Sequence, residues 1–327
     1  MPFKTDITRR NLMIATAASA ALAPFGAFAQ AAYPNGQITF VCAFPAGSGA
    51  DVLVRFFAEK FAKVSGQTVI VENKPGAAGN IAAMYTARAK PDGYTIYVHS
   101  GTSTAANMSL FKAPPLDVVK ELQTTSFINK QAFMFVVAYD SPIKDMKQLT
   151  EVLKTKGNNA SYATAATSGK VLGEIYKQKA GVDPVEVSFK DAKDSLNDML
   201  SGSIDYGVHD PVFALSQANE KRVRILASGS PVRLKSIPDV PTAKEQGYDI
   251  DQLGWWGSFV PKATPRPIVD KINALFNEVL AQPDTVAFLG KFGGDVYTGT
   301  PDEGQALLAK TVEEWKDYVA LAKIPQN

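Results

Sequence analysis

Short apolar runs alternate with longer amphipathic stretches along most of this 327-residue chain, and this alternation constrains the fold more than any other feature. Apolar runs of this length are typical of buried strands, whereas the stretches between them have the period of surface helices. The expected strands are residues 38–43, 68–72, 95–99, 133–139, 160–164, 185–189, 206–209, 223–227 and 256–260. Strands that alternate with helices predict an α/β fold with mostly parallel sheets.

The first expected strand leads into a loop of small residues, FPAGSGAD at positions 44–51. A strand, a glycine turn and a helix start in this order direct backbone N–H groups at the space above the loop, which suits an anion. Residues 52–64 have a helical period, with Asp51 as the expected N-cap. The apolar face of this helix, which we expect to lie against a sheet, comprises Val52, Leu53, Phe56, Phe57, Phe61 and Val64.

Two helices near the C-terminus have clear start signals. Thr264 and Thr300 each precede a proline, which combines a capping hydroxyl with the residue favoured at the first helical position. Glu303 completes a capping box with Thr300. We therefore expect helices over residues 265–281 and 301–322, both covering a sheet.

The first 29 residues have the pattern of an export leader. Arg9 and Arg10 precede an apolar stretch, and the Ala-Phe-Ala sequence that ends at Ala29 fits a cleavage site. Paired arginines resemble the twin-arginine signal, but an ordinary Sec leader can also carry them, so both export routes stay open. Either route leads out of the cytoplasm, and we expect a soluble periplasmic protein that begins near Gln30.

Charge and cysteine usage exclude several classes of function. Removing the leader takes away three of the 34 basic and one of the 32 acidic residues, which leaves 31 of each sign. A neutral chain without a basic run offers no footprint for nucleic acid or an anionic membrane. Cys42 is the single cysteine, so no intramolecular disulfide is expected. The two histidines lack metal-ligand spacing, and we expect neither a metal nor a cofactor.

A set of short motifs covers nearly the whole mature chain. They are FPAGSGAD at 44–51, VENKPGAAGNI at 71–81, KPDGYT at 90–95, LSGSID at 200–205, IPDVPT at 237–242, WWG at 255–257 and PKATP at 261–265. In this order and spacing, the motifs resemble the substrate-binding proteins of the tripartite tricarboxylate transporter family, also called the Bug family. Each motif is weak alone, whereas the ordered set is specific.

The resemblance implies a type II periplasmic-binding-protein fold, with two lobes that are each a mostly parallel sheet flanked by helices, joined by two crossover strands. After the leader at 1–29, residues 30–134 and 254–327 would form the first lobe and residues 135–253 the second. The lobes would close over a small carboxylate, either a di- or tricarboxylate or an aromatic acid, and present it to a membrane permease. No covalent step is implied, and we expect a monomer without a nucleic-acid partner.

The resemblance also implies which residues bind the ligand. These residues follow strands, as expected because ligand-binding loops lie at the carboxyl ends of parallel strands. From the first lobe they are Phe44, Ser48, Gly49, Asp51, Asn80, Ser100, Gly101, Thr102 and Ser103. From the second lobe they are Thr164, Thr167, Ser168 and Asp210. Asp51, Asn80 and Asp210 have a plainer interpretation as helix caps.

Two departures from the family pattern concern the far end of the pocket. The loop at 162–170 is shorter than in relatives and ends at Lys170, which either answers a second carboxylate or is a solvated surface lysine. Asp191 stands where relatives tend to have a glycine. Alternation along a strand places Trp255 and Trp256 on opposite faces, so that one belongs to the core and the other can line the cleft.

Two other functions stay open from the sequence. GTSTA at 101–105 nearly reproduces the nucleophile elbow of α/β hydrolases, which would make Ser103 the nucleophile of a secreted serine hydrolase. Its base would have to be His99 or His209. The other possibility is a ligand sensor that presents its closed form to a receptor kinase. A nucleotide site is a poor fit for two reasons. Residues 47–52 lack the third glycine of a dinucleotide fingerprint, and residues 164–171 lack the first glycine and the final Ser or Thr of a P-loop.

Overall fold

The computed structural model describes residues 33–326, so the expected leader at 1–29 lies outside the described residues. Eleven strands are formed within this range. They are β1 (Ile38–Cys42), β2 (Val69–Asn73), β3 (Thr95–Ser100), β4 (Leu122–Gln131), β5 (Met134–Ala138), β6 (Ser161–Thr164), β7 (Val185–Ser188), β8 (Tyr206–His209), β9 (Val223–Ser228), β10 (Gly254–Pro261) and β11 (Asp295–Val296).

The helices lie between these strands, as the alternating pattern predicts. They are α1 (Gly49–Ser65), α2 (Asn80–Ala87), α3 (Gly101–Leu110), α4 (Val118–Glu121), α5 (Met146–Lys156), α6 (Thr167–Ala180), α7 (Ala192–Leu200), α8 (Pro211–Asn219), α9 (Arg266–Leu280), α10 (Pro283–Lys291) and α11 (Pro301–Leu321). None of the described helices is both long enough and apolar enough to cross a membrane.

The strands form two sheets, in the orders β11-β4-β10-β3-β1-β2 and β7-β6-β8-β5-β9, and this confirms the α/β prediction. β1 pairs in parallel with β2 and β3, and β6 pairs in parallel with β7 and β8. The remaining pairs are antiparallel, so both sheets are mixed and the expectation of mostly parallel sheets is wrong. β5 and β10 are the first strands after the chain passes from one sheet to the other, and no helix precedes them in these connections. Because parallel pairing usually requires a crossover helix, these two strands pair antiparallel with their neighbours.

The apolar pattern does not predict the longest strand, β4, or the short β11. The sequence of β4, LQTTSFINKQ, is largely polar, yet Thr125 and Ser126 are fully buried. The Thr125 hydroxyl oxygen lies 2.6 Å from that of Ser258 in β10, and the Ser126 hydroxyl donates to the Phe127 carbonyl at 2.7 Å. Buried hydroxyls are tolerated when they are hydrogen-bonded, so β4 is a core strand without a hydrophobic signature.

The capping box of α11 is confirmed. Thr300 Oγ1 accepts a hydrogen bond from the Glu303 backbone N–H at 3.2 Å, and Glu303 Oε2 accepts one from the Thr300 N–H at 2.7 Å. The equivalent prediction for Thr264 is wrong. Pro265 is the N-cap of α9 and therefore supplies no side-chain hydrogen bond, while the Thr264 hydroxyl is buried without a partner in the described part of the chain.

Helix α1 packs on the first sheet through most of the predicted face. Leu53 and Phe61 are buried, and the Phe61 ring lies 5.3 Å from that of Phe40 in β1 and 4.9 Å from that of Phe276 in α9. Burying each such side chain stabilises the fold by roughly 1.5–3 kcal/mol. Val52 departs from the prediction, because it is 46% exposed at the start of the helix.

Helix α11 contributes to the cores of both sheets. Its first half places Leu308 in the same cluster as Phe127 of β4. Its second half places Trp315 and Val319 in the cluster that contains Tyr162 of β6. One continuous helix is therefore packed into two hydrophobic cores.

A second connection between the sheets is polar. Asp295 of β11 is buried, and its two carboxylate oxygens accept hydrogen bonds from the backbone N–H groups of Lys235 and Ser236, both at 2.7 Å. These two residues follow β9 of the second sheet. The same carboxylate therefore holds the segment after β9 against the edge strand of the first sheet.

Two helical glycines test how tightly α11 packs on β4. A methyl group at Gly304 would lie 2.6 Å from Thr124 Cγ2, whereas one at Gly290 in α10 would meet Ser236 Cβ at 3.9 Å. Alanine is favoured over glycine in helices by about 1 kcal/mol. We expect Gly290→Ala to raise the free energy of unfolding in urea and Gly304→Ala to lower it by about 1–3 kcal/mol. Equal effects of the two substitutions would contradict close packing at Gly304.

Candidate functional site

Three loops of the first sheet emerge side by side. β1 lies between β2 and β3 and runs parallel to both, with Phe40 in register with Val71 and Ile96. The loops that follow these strands therefore lie at one edge of the sheet. They carry the residues expected from the first lobe, which are Phe44, Ser48, Gly49, Asp51, Asn80, Ser100, Gly101, Thr102 and Ser103.

The carboxylate of Asp51 fixes the loop after β1. Asp51 Oδ2 accepts hydrogen bonds from Gly47 N and Arg55 Nε, both at 2.8 Å, and Oδ1 accepts one from Asn73 Nδ2 at 2.7 Å. The Asn73 amide also donates to the Phe44 carbonyl at 2.9 Å. Burial raises the pKa of Asp51, but the hydrogen bonds from Arg55, Asn73 and Gly47 outweigh it and hold the pKa below its ordinary value. Asp51 is thus a positioning residue for this loop.

The prediction that Asp51 caps α1 is wrong, because Ser48 occupies that position. Ser48 Oγ accepts a hydrogen bond from the Asp51 N–H at 3.2 Å, and the Asp51 carboxylate turns back to Gly47. Within residues 33–326, the N–H groups of Gly49 and Ala50 have no acceptor, and Gly49 is exposed. The start of α1 therefore presents unpaired N–H groups and the positive end of the helix dipole, which together suit an anion.

The loop after β2 has a strained backbone. The four consecutive residues 76–79 all have positive φ angles, including 45° and 52° at the two alanines Ala77 and Ala78. Such strain persists where surrounding contacts hold it, and it is common at binding sites. Asn107 Nδ2 supplies that hold by donating to the Ala78 carbonyl at 2.9 Å and to Asn80 Oδ1 at 3.0 Å. Sequence reasoning missed Asn107, because no local pattern connects it with residue 78.

Asn80 begins α2 without capping it. The N-cap is Gly79, which makes no side-chain hydrogen bond, so the interpretation of Asn80 as a cap is wrong. Asn80 is buried, and its Nδ2 finds no acceptor among the described residues. A buried amide donor without a partner is unusual and identifies this position as one that can accept a ligand or an ordered water.

In the loop after β3, the hydroxyl groups of Ser100 and Thr102 are used within the protein. Ser100 Oγ caps α3 by accepting from the Ser103 N–H at 3.1 Å, and Thr102 Oγ1 accepts from the Trp255 N–H at 3.0 Å. Gly101 is required for packing, because a methyl group there would lie 2.2 Å from the Trp255 ring. This loop therefore fastens α3 to β10.

An aromatic cluster lies beneath the first two loops. The Phe44 ring stacks on Trp256 at 5.9 Å and meets the His99 ring edge-on at 5.0 Å. Trp255 points to the opposite face and packs with Phe127 in the core, as alternation along the strand predicts. Burial lowers the pKa of His99 to about 3, so its imidazole is neutral at physiological pH.

The end of β6 and the start of α6 carry three of the four residues expected from the second lobe, namely Thr164, Thr167 and Ser168. Thr164 is buried and donates its hydroxyl to Glu186 Oε1 at 2.5 Å, while Lys170 Nζ lies 3.4 Å from Glu186 Oε2. Lys170 is thus ion-paired within the protein, whereas the sequence suggests either a partner for a second ligand carboxylate or a solvated surface lysine. Thr167 is exposed, and Ser168 accepts a hydrogen bond at its carbonyl from Gln252 at 3.2 Å. The N-cap of α6 is Ala166, so no side chain caps this helix.

The loop after β8 confirms one cap and places the second histidine. Asp210 caps α8 by accepting from the Phe213 N–H at 3.0 Å. Burial raises the pKa of Asp210, and the nearby Asp191 raises it further. His209 is buried, with Nε2 at 3.2 Å from Ser195 Oγ. In the described structure neither histidine hydrogen-bonds to Ser103, so the geometry of a serine hydrolase is not assembled.

Within each sheet, the expected residues lie together at the ends of neighbouring parallel strands. Between residues 33 and 326, no hydrogen bond joins the loop at 44–51 to that at 164–168. Two cavities of about 650 and 460 Å³ lie along the last turns of α11, and the smaller one is also lined by Lys170 and Glu186. No group of side chains in this range has the composition of a metal site.

The hydrogen bonds of Asp51 predict a pH-dependent contribution to stability. We expect Asp51→Asn to lower the free energy of unfolding by about 1–3 kcal/mol at pH 7, because it removes the buried charged acceptor of three hydrogen bonds. Since the folded-state pKa is depressed, the wild-type advantage is complete above the unfolded value of about 3.9 and is lost as the pH falls through the folded value. Thermal denaturation from pH 7 to pH 2 measures the difference.

Glu59→Gln in the same helix is the matched control. Glu59 pairs with Lys63 at 2.7 Å, but both side chains are largely exposed, so the substitution should leave stability unchanged. A wild-type advantage over Asp51→Asn that is as large at pH 2 as at pH 7 would contradict the role of the ionised carboxylate.

Comparison with known proteins identifies the family. The model of the tripartite tricarboxylate transporter family receptor, TctC, matches residues 53–323. A UPF0065 protein from the gbd 5′ region of Cupriavidus necator is 30% identical over 321 residues, which cover 96% of this chain and 95% of that protein. The structure of the periplasmic binding protein BugD is similar with a TM-score of 0.72 and 28% identity, covering 90% of this chain and 100% of BugD.

MatC from Rhodopseudomonas palustris with bound malate gives a TM-score of 0.71 at 27% identity, covering 88% of this chain and 100% of MatC. These similarities confirm the expected periplasmic-binding-protein fold and a non-enzymatic receptor. The chain belongs to the tripartite tricarboxylate transporter receptor family and is a solute-binding protein.

Proposed function

We propose that this chain is exported to the periplasm and captures a small carboxylate between the loops of its two sheets for delivery to a membrane permease. The observation that carries the proposal is the state of two helix starts. The N–H groups of Gly49 and Ala50 have no acceptor in the described part of the chain, and α6 begins at Thr167 after Ala166, an N-cap whose side chain cannot accept a hydrogen bond. Helix starts of this kind attract anions. MatC, at 27% identity, holds malate, which supports a carboxylate.

Ligand capture would work by lobe closure. We assign residues 30–134 and 254–327 to the first lobe and residues 135–253 to the second. A carboxylate that contacts both helix starts binds the closed form more tightly than the open form, and so shifts the population towards closure. The step is non-covalent and uses no cofactor.

The charges of the second lobe constrain the far end of the ligand. Lys170 is already paired with Glu186 at 3.4 Å, and Asp191 and Asp210 add negative charge after β7 and β8. A further carboxylate at this end would meet net repulsion unless Lys170 left Glu186. We therefore infer a ligand with one or two carboxylates and a less anionic far end.

Acids of different charge test the solute class. We expect malate, succinate or benzoate to raise the melting temperature of the protein, because a ligand at about a hundred times its Kd adds roughly 2.7 kcal/mol of stability. Citrate should give a smaller shift than malate because of its third carboxylate. Differential scanning fluorimetry measures these shifts, with the uncharged diamides of malate and succinate as controls. A panel in which no acid shifts the melting temperature, or in which the diamides act equally, would contradict the proposal.

Export can be tested on the same protein. When the chain is expressed with its own leader, we expect the periplasmic fraction to contain a monomer whose intact mass corresponds to a start at Gln30. Replacing Arg9 and Arg10 by lysine should block export only if the twin-arginine route is used. Retention of residues 1–29 on the recovered protein would contradict the proposed processing.

A further inference from the structure

We propose that His99 is a ligand-binding residue, whose imidazole N–H acts together with the Asn80 amide to donate hydrogen bonds to an oxygen of the bound carboxylate. The inference rests on the proposed function and adds a residue that lies outside the motifs shared with the family. In this inference, the first lobe recognises an acceptor oxygen of the ligand through side chains that lie below the loop of Phe44.

His99 stands at the binding edge of the first sheet. It is the next-to-last residue of β3, where it is in register with Gly257 of β10. Its ring lies 5.0 Å from the Phe44 ring, and its Nε2 faces the strained loop after β2. A methyl group built on Gly79 would lie 2.7 Å from that nitrogen. The ring edge therefore borders the same loop that carries Asn80.

Two buried donors at this place have no acceptor. His99 is 2% exposed, and neither Nδ1 nor Nε2 meets a hydrogen-bond partner within residues 33–326. Asn80 is 1% exposed, and its Nδ2 is also unpaired in that range. A neutral imidazole always carries one N–H, so each residue brings at least one donor that the fold leaves unsatisfied. Buried donors of this kind are normally paired, and a carboxylate oxygen would pair both.

The protonation state of His99 suits a donor role. Burial against the rings of Phe44, Tyr97 and Trp256 disfavours the imidazolium, so the group is neutral before the ligand enters. The aromatic walls exclude water, which strengthens a hydrogen bond to an anion. His209, in contrast, already has Ser195 as a partner at 3.2 Å.

The decisive variant is His99→Phe, which keeps a ring of similar shape and removes both nitrogens. We expect it to weaken the binding of malate, or of the panel acid with the largest thermal shift, by about tenfold or more in titration calorimetry. The melting temperature without ligand should be unchanged or higher, because an unpaired buried polar group has been removed.

Thr285→Val is the matched control. Thr285 in α10 is also fully buried, and its hydroxyl has no partner among the described residues, so the substitution removes an unpaired polar group outside the three loops. It should leave the Kd unchanged. Equal affinity of wild type and His99→Phe would overturn the inference and leave the proposed function intact. Failure of every acid to bind the wild type would overturn both.

A second measurement avoids any substitution. The chain contains two histidines, so labelling with ¹⁵N-histidine gives signals from His99 and His209 alone. We expect the acid to move the ring-nitrogen resonances of His99, because an N–H gains an acceptor, and to leave those of His209 in place. Unmoved His99 resonances at saturating acid would overturn the inference, including in the case that His99→Phe does not fold.

Discussion

The antiparallel pairing of β4 with β10 is the constraint on which the rest of the structure depends. Eight residue pairs join these strands, although every strand of the second sheet lies between them in the sequence. The entropy cost of closing so long a segment grows only slowly with its length. The hydrogen bonds between β4 and β10, with their buried hydroxyls, can therefore offset this cost. The second sheet is therefore an insertion between two neighbouring strands, and the chain enters and leaves it from one place in the first sheet.

The sequence predicts the elements that rest on local patterns. Residues 206–209 form β8 as expected, and the capping box at Thr300 is present because its partner stands three residues away. β4 escapes prediction because its sequence is largely polar, and the buried hydroxyl of Thr125 finds its partner in the distant Ser258. The same limit applies to Asp51, whose acceptor role depends on Asn73 of β2. Position in a loop was predictable from the motifs, whereas the partner of each side chain was not.

Most of the hydroxyl groups in the candidate loops serve the fold. Ser48 and Ser100 cap helices, Thr102 holds β10, and Thr164 binds Glu186. The two acids nearest the helix starts are paired internally, Asp51 with Arg55 and Glu186 with Lys170. In the proposed binding mode, the attraction for an anion would therefore fall mainly to main-chain N–H groups. Recognition by the main chain would respond to a carboxylate and little to what is attached to it, so discrimination among acids would depend on the few side chains that remain unpaired.

The two-core packing of α11 also sets a mechanical limit on the receptor. Leu308 is anchored with the first sheet, and Trp315 and Val319 with the second, over less than four turns of one helix. In the proposed two-lobe arrangement, a swing that parts the lobes would have to flex this helix between its two anchor points or extract the Trp315 indole from a close-packed interior. The helix would then act as a stiff tether that opposes wide opening, and residues outside the loops that touch the solute would limit the width of the entrance.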